Sequence, residues 1–357
     1  ATEKKIHLSG LSGSAASIVA SCCFNESENA SIFILKDKEA AAYFFNDLEQ
    51  FISEKDLLFY PGSYRRPYQI EETDNANVLM RAEVLNRLSS RRKASCIVTY
   101  PDALIEKVIT KKELTRNTLK LTLGEEIGID FLNETLFEYG FEYAEIVVEP
   151  GQFSIRGGIV DVFSFSNEHP YRIEFFGDEV ESIRSFNINS QLSILEVKKL
   201  NIIPNVENKD MIESRVPFTN YLGKDATLWI DDQGLCEGQL DKLYLKSYDA
   251  FENLDGEIRH LKPEELFINS KVFRKAIKEF SLVSFGINTK EGPLNIDFST
   301  SFQPSFNKQF DLIIEHLNEQ TSKGYQNLIL CSSQKQEERF HSIFEKTEGD
   351  FKFNTML

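Results

Sequence analysis

Gly10-Leu11-Ser12-Gly13-Ser14-Ala15-Ala16-Ser17 has the length and small-residue character of a phosphate-binding loop leading into a helical pattern, Ile18 to Phe24. A working loop reads G-x-x-x-x-G-K-[ST]. Its backbone N–H groups cradle phosphate, its lysine contacts the terminal phosphates and its hydroxyl holds magnesium. Here Ala15 stands at the second glycine and Ala16 at the lysine, so Gly10 and Ser17 keep the pattern while Gly13 adds a further small residue. Without the ammonium, the main side-chain charge that offsets negative charge in phosphoryl transfer is gone. The same residues also fit an ordinary Gly-Ser turn capping a helix. A hydrolase nucleophile elbow does not fit, because it requires glycine where Ser14 stands.

Outward from this loop, short apolar runs alternate with helical periodicity. Ser31 to Leu35, Asp56 to Tyr60 and Ala94 to Tyr100 read as strands, and Glu39 to Phe51 and Ala76 to Leu88 as helices. Such alternation predicts a parallel sheet covered by helices, with any ligand beyond the carboxyl ends of the strands. After a helix over 129 to 140 the period changes to two. From about 143 to 188 the chain reads as antiparallel strands, with turns at Pro150-Gly151, Gly157-Gly158 and Gly177-Asp178.

The strand-helix pattern resumes near 200. Ala226 to Ile230 is a strand, and Gly238 to Phe251 and Ser270 to Phe280 are helices. The strand runs into Asp231-Asp232, where an NTPase places an aspartate for magnesium and a glutamate that orients water. Asp231 fits the first role and Asp232 is one methylene short for the second. The expected fold class is α/β: a degenerate nucleotide-loop domain in two segments, 1–118 and 200–298, with an antiparallel β-rich domain inserted at 119–199. A strand at Asn327 to Leu330 and a helix from Gln334 begin a further small α/β domain at 299–357, which suggests a piece of a longer protein.

The formal net charge of -16 disfavours a broad nucleic-acid-binding surface and favours a protein partner. Cys22, Cys23, Cys96, Cys236 and Cys331 include no C-x-x-C pair, and the five histidines lack metal-ligand spacing, so neither metal nor cofactor is expected. No apolar run is long enough to span a membrane. Ala1-Thr2-Glu3-Lys4-Lys5 does not open a signal peptide, which makes the cytoplasm the expected location.

In Tyr171-Arg172-Ile173-Glu174-Phe175-Phe176 the period-two rule puts Tyr171, Ile173 and Phe175 on the core face and Arg172, Glu174 and Phe176 outside. The preceding strand, Gln152 to Arg156, adds Arg156 to that outer face. Aromatic and arginine residues grouped this way are the makings of a protein-binding hot spot. The bland alternative has both arginines in weak cross-strand pairs and Phe176 packed at a sheet end. On the first reading these side chains lie outside the core, so truncating Arg172 or Phe176 should spare stability.

The strings Gly151-Gln152-Phe153-Ser154-Ile155-Arg156-Gly157-Gly158-Ile159-Val160-Asp161-Val162-Phe163 and Tyr171 to Ile183 closely resemble the UvrA-binding domain shared by UvrB and the bacterial transcription-repair coupling factors (Mfd). The degenerate loop and the altered acidic pair flank them in the right order, so the resemblance covers most of the chain. UvrB keeps an intact loop and carries an aromatic hairpin for damaged DNA. Tyr60-Pro61-Gly62-Ser63-Tyr64-Arg65-Arg66-Pro67 leaves no room for that hairpin, which favours the coupling factors.

The resemblance implies that Arg156, Arg172, Glu174 and Phe176 contact UvrA, the arginines meeting acidic groups. It also implies a non-catalytic recruiting module for transcription-coupled nucleotide excision repair, masked in the whole protein by a carboxyl-terminal domain. RNA polymerase and DNA would be contacted only through regions outside this chain. The competing reading is a UvrB-like nucleotide-binding repair ATPase.

Overall fold

The computed structural model describes residues 5–63, 75–90, 94–165, 167, 169–204, 214–253, 261–286, 294–307, 309–344 and 353–356. The chain begins β1 (Lys5–Ser9), α1 (Ala15–Asn25), β2 (Ser31–Ile34), α2 (Lys38–Leu48), β3 (Leu57–Tyr60), α3 (Asn75–Ser90) and β4 (Cys96–Thr99). Every residue of β2 and of β4 is buried, the mark of strands covered on both faces. Between them α2 starts where Asp37 accepts the Ala40 N–H, and it buries Ala41, Phe44 and Leu48 along one stripe.

A short stretch of α4 (Pro101–Leu104), β5 (Val108–Ile109) and α5 (Lys111–Arg116) leads into the insert. The insert contains β6 (Leu119–Thr122), α6 (Ile129–Glu138), β7 (Glu142–Tyr143), β8 (Gln152–Arg156), β9 (Ile159–Val162), β10 (Tyr171–Phe176), β11 (Glu179–Phe186), β12 (Ser193–Glu196) and β13 (Lys199–Ile202). The chain returns through β14 (Arg215–Val216), which pairs with β5, to β15 (Thr227–Ile230), α7 (Gln233–Glu252), α8 (Pro263–Leu266), α9 (Ser270–Ile277), β16 (Ser281–Ser284) and β17 (Leu294–Asp297).

Seven strands form one parallel sheet in the order β17-β1-β16-β15-β2-β4-β3. Because all run the same way, β1 and β15 deliver Gly10 and Asp231 to the same carboxyl edge, with β16 between them. The insert's six-stranded sheet has the order β12-β11-β10-β9-β8-β7 and is antiparallel apart from the β7–β8 pair. The fold class is therefore α/β with a β-rich insert, as the change of period predicts.

Two helices are longer than their periodicity suggests: α1 begins at Ala15 and α7 at Gln233, the latter because Asp232 caps it. β17 is exposed along its whole length and leaves no hydrophobic pattern to read. Of the passage at Tyr60 to Pro67, residues 64–67 lie outside the described residues.

One continuous apolar cluster runs from Leu8, Phe33 and Trp229 in the parallel sheet to Phe153, Val160 and Ile173 in the insert. Residues 1–301 form one compact unit and 302–357 another. The second unit consists of α10 (Phe310–Ser322), β18 (Asn327–Leu330), α11 (Gln334–Phe344) and β19 (Phe353–Met356), with β18 and β19 parallel and Ile314, Leu317 and Phe344 in its own core. Among the described residues no helix is long and apolar enough to cross a membrane.

Beneath the carboxyl end of β3 lies a buried ion pair. Arg81 is fully buried; its Nη2 sits 3.0 Å from Glu106 Oε2, its Nη1 donates to the Pro61 carbonyl at 2.8 Å, and its guanidinium lies 4.5 Å over the Tyr60 ring. Glu106 also accepts the Ser63 N–H at 2.9 Å and the Ser63 hydroxyl at 2.5 Å. Truncating Glu106 takes a buried counter-charge from Arg81 and an acceptor from Ser63, so Glu106→Ala should lower stability by about 3–5 kcal/mol. Chemical denaturation measures this, and an unchanged midpoint would remove the pair from the list of supports.

Candidate partner-binding site

The outer face of the insert's sheet divides into a covered end and an open end. Pairing sets Ser154, Asp161, Arg172 and Arg184 in one row across β8 to β11, and Arg156, Ile159, Glu174 and Ser182 in the next. The opposite face carries Ile155, Val160, Ile173 and Ile183 into the main core.

At the covered end Asp161 is nearly inaccessible, and Arg172 grips it with both arms of its guanidinium, Nε to Oδ1 at 2.7 Å and Nη2 to Oδ2 at 2.9 Å. These hydrogen bonds raise the Arg172 pKa further. The same guanidinium lies 4.7 Å over the Phe186 ring, which packs with Val147 and Phe163 in a small second core. Arg156 donates to Asp161 from the other side with half of its side chain in solvent. Glu174 accepts from Arg184 and from the Ser182 hydroxyl.

Beyond Glu174 the pairing slips by one residue on β11, leaving Glu181 as the extra residue of a bulge. Phe176 then stands opposite Glu179 at the end of the hairpin, 78% exposed, and the turn is closed by Gly177 at φ +64°. Phe176 does not pack at the sheet end. Of the four residues expected on this face, Phe176 projects most, Arg156 and Glu174 are part-exposed, and Arg172 is mostly withdrawn.

The expectation that Arg172 lies outside the core is corrected: its side chain is only 19% exposed, because Asp161 and Phe186 hold it. Asp161 escaped the sequence reading. Its signal is a lone carboxylate between Val160 and Val162, in a strand flanked by strands that carry Arg156 and Arg172.

The nucleotide-loop residues meet the opposite fate: they are brought together and then filled. Gly10 has φ +66°, and a Cβ there would stand 2.5 Å from Asp297 Oδ1 and 2.6 Å from the Ser299 nitrogen. The Ser12 N–H, which would face phosphate, donates to Thr300 Oγ1 at 2.8 Å, and Thr300 N–H returns a bond to the Gly10 carbonyl at 2.8 Å. Asp297 takes the Ser9 hydroxyl at 3.0 Å, which puts a carboxylate beside the loop.

Gly13 sits in the left-handed region at φ +56°, and Ala15 starts α1. Ala16 packs against the core, and the buried Ser17 hydroxyl donates to Asp47 at 2.9 Å. Asp232 spends its carboxylate on the Leu235 N–H at 3.0 Å. Burial raises the Asp231 carboxyl above its ordinary range; Lys36 opposes this and Asp232 adds to it. Among the described residues no group of three or more His, Cys, Asp or Glu is arranged to hold a metal ion.

Residues 119–207 match the family described as the UvrB interaction domain. The transcription-repair-coupling factor of Bacillus subtilis (strain 168) is 29% identical over 96% of this chain, which covers 31% of that protein. The chain is a homologue of the transcription-repair-coupling factors. The factor of Staphylococcus aureus (strain USA300) is 32% identical over 55% of the chain, covering 16% of that relative, and that of Haemophilus influenzae is 25% identical over 50%, covering 15%. The chain thus spans less than a third of the length of these curated coupling factors, and the matched UvrB interaction domain contains the whole outer face described above.

In this homologue Arg172→Ala should cost about 1–3 kcal/mol, since a buried carboxylate loses its bidentate partner while Arg156 remains. Phe176→Ala should stay within about 0.5 kcal/mol of the parent, as expected for an exposed side chain. Denaturant titration of the two variants gives the comparison, and equal stabilities would contradict the division of the face into covered and open ends.

Proposed function

We propose that this chain is a non-catalytic docking module of transcription-coupled nucleotide excision repair, and that its 119–199 domain recruits UvrA through the open end of the outer face. The observation that carries this is Phe176, a large aromatic side chain 78% exposed at the tip of a hairpin whose base is locked into the main core. An exposed aromatic on a rigid support loses little conformational entropy on binding and supplies much apolar contact. The match to the UvrB interaction domain and the names of the relatives support the choice of partner.

Contacts with RNA polymerase and DNA, and the masking carboxyl-terminal domain, are assigned to the remainder of such a protein, with the cytoplasm as the site of action. The alternative of a UvrB-like ATPase is opposed by the loop itself. Ala16 carries no charge, the Ser12 N–H is already taken by Thr300, and Asp297 sets a negative charge beside the loop.

Calorimetric titration of the 357-residue chain with purified UvrA should give a saturable complex. Phe176→Ala should weaken it about thirty- to a thousandfold, corresponding to about 2–4 kcal/mol. Wild-type affinity in that variant, with folding intact, would leave the contact surface unassigned. A steady-state phosphate assay with ATP and magnesium should read no turnover. Magnesium-dependent hydrolysis accompanied by micromolar ATP binding would restore the ATPase reading.

A further inference from the structure

Charge at the Phe176 tip is distributed differently from charge along the rest of the outer face. The arginines of the face are ion-paired within the domain: Arg156 and Arg172 with Asp161, and Arg184 with Glu174. A partner carboxylate approaching Arg172 would have to compete with a bidentate, nearly dry ion pair.

The tip itself is acidic. Glu179 is the cross-strand partner of Phe176, Asp178 forms the turn with Gly177, and Glu181 is pushed out by the bulge. The segment before α6 adds two more carboxylates. Its backbone clamps the hairpin end, with Gly124 N–H donating to the Val180 carbonyl, Val180 N–H to the Glu125 carbonyl and Ile127 N–H to the Asp178 carbonyl, and with Glu126 and Glu179 paired through their backbones as an antiparallel β-bridge. Glu125, Glu126, Asp178, Glu179 and Glu181 are all exposed, and among the described residues none of the five is in an ion pair.

We infer that the surface received by this domain is an apolar recess rimmed by lysine or arginine side chains, with Phe176 filling the recess and the acidic tip steering the approach. The inference rests on the proposed UvrA docking and names the chemistry of that partner's side of the contact. Exposed carboxylates without a cationic partner, held around an exposed aromatic, repel an acidic partner and attract a basic one, and this acts mainly on the rate of encounter. The arginines then serve as the frame that fixes the hairpin.

The test is stopped-flow association of the full chain with UvrA at about 50 mM salt and at higher ionic strength. Asp178→Lys combined with Glu179→Lys should lower the association rate by about tenfold or more and flatten its salt dependence. Glu181→Lys should act in the same direction, and Asp178→Asn with Glu179→Gln should fall between. The backbone bonds of the clamp do not involve these side chains, and a matching thermal midpoint checks that the fold is kept.

Association rates that are unchanged or raised by the reversals, in a chain that still binds and still needs Phe176, would overturn the basic-rimmed recess and leave the docking assignment standing. Failure of the unaltered chain to bind UvrA would remove both. Concentration-dependent dimerisation abolished by Phe176→Ala would identify a second copy as the occupant and overturn the inference too.

Discussion

The structure depends on one uninterrupted apolar core shared by the parallel sheet and the inserted β-rich domain. Phe153, Val160 and Ile173 on the inner face of the insert belong to the same cluster as Ile32, Ile97 and Leu228. A domain that buried a separate core could move about its linkers, whereas one that shares a core presents its outer face in a fixed attitude. A recognition hairpin gains from this, because little ordering entropy is left to lose when a partner arrives.

A second constraint organises the outer face, and it is electrostatic. Asp161 is a carboxylate taken out of water on a strand whose neighbours supply two guanidinium groups. A carboxylate in that position is costly unless it is paired and hydrogen-bonded, so it holds Arg172 down against Phe186. The consequence is a change of role. Arg172, which looks like an outward residue along the strand, is held within the domain, while Phe176 and the carboxylates around it stay exposed.

The Gly10–Ser17 loop follows the same logic of satisfied polar groups. A left-handed Gly10 and the Ser12 N–H would expose donors at the carboxyl edge of a parallel sheet, the usual place for a ligand in such folds. Here β17 adds to β1 as an edge strand; its last residue, Asp297, accepts the Ser9 hydroxyl, and Thr300 just beyond it accepts the Ser12 N–H. Ser17 and Asp232, which have counterparts in a working site, are engaged by Asp47 and by the start of α7. Each serves as a structural part: a turn, a buried hydroxyl and a helix cap.

Local pattern in the sequence determined the fold class. Ile32-Phe33-Ile34 and Ile97-Val98 are short, unbroken apolar runs rich in β-branched residues, which fit strands covered on both faces, and the shift to period two at Gln152 and Tyr171 marks the inserted sheet. It also determined which side of β10 each residue faces, since alternation follows from the pleat. The tertiary structure alone decided which outer residue is free and which is spoken for. Arg172 and Phe176 have the same parity on the same strand, yet one finds Asp161 eleven positions earlier in the chain and the other stays 78% exposed. The filling of the loop by Asp297 and Thr300 across 288 and 290 positions was likewise invisible, because a polar residue in an exposed strand carries no period and its partner is chosen by how sheet edges meet in space.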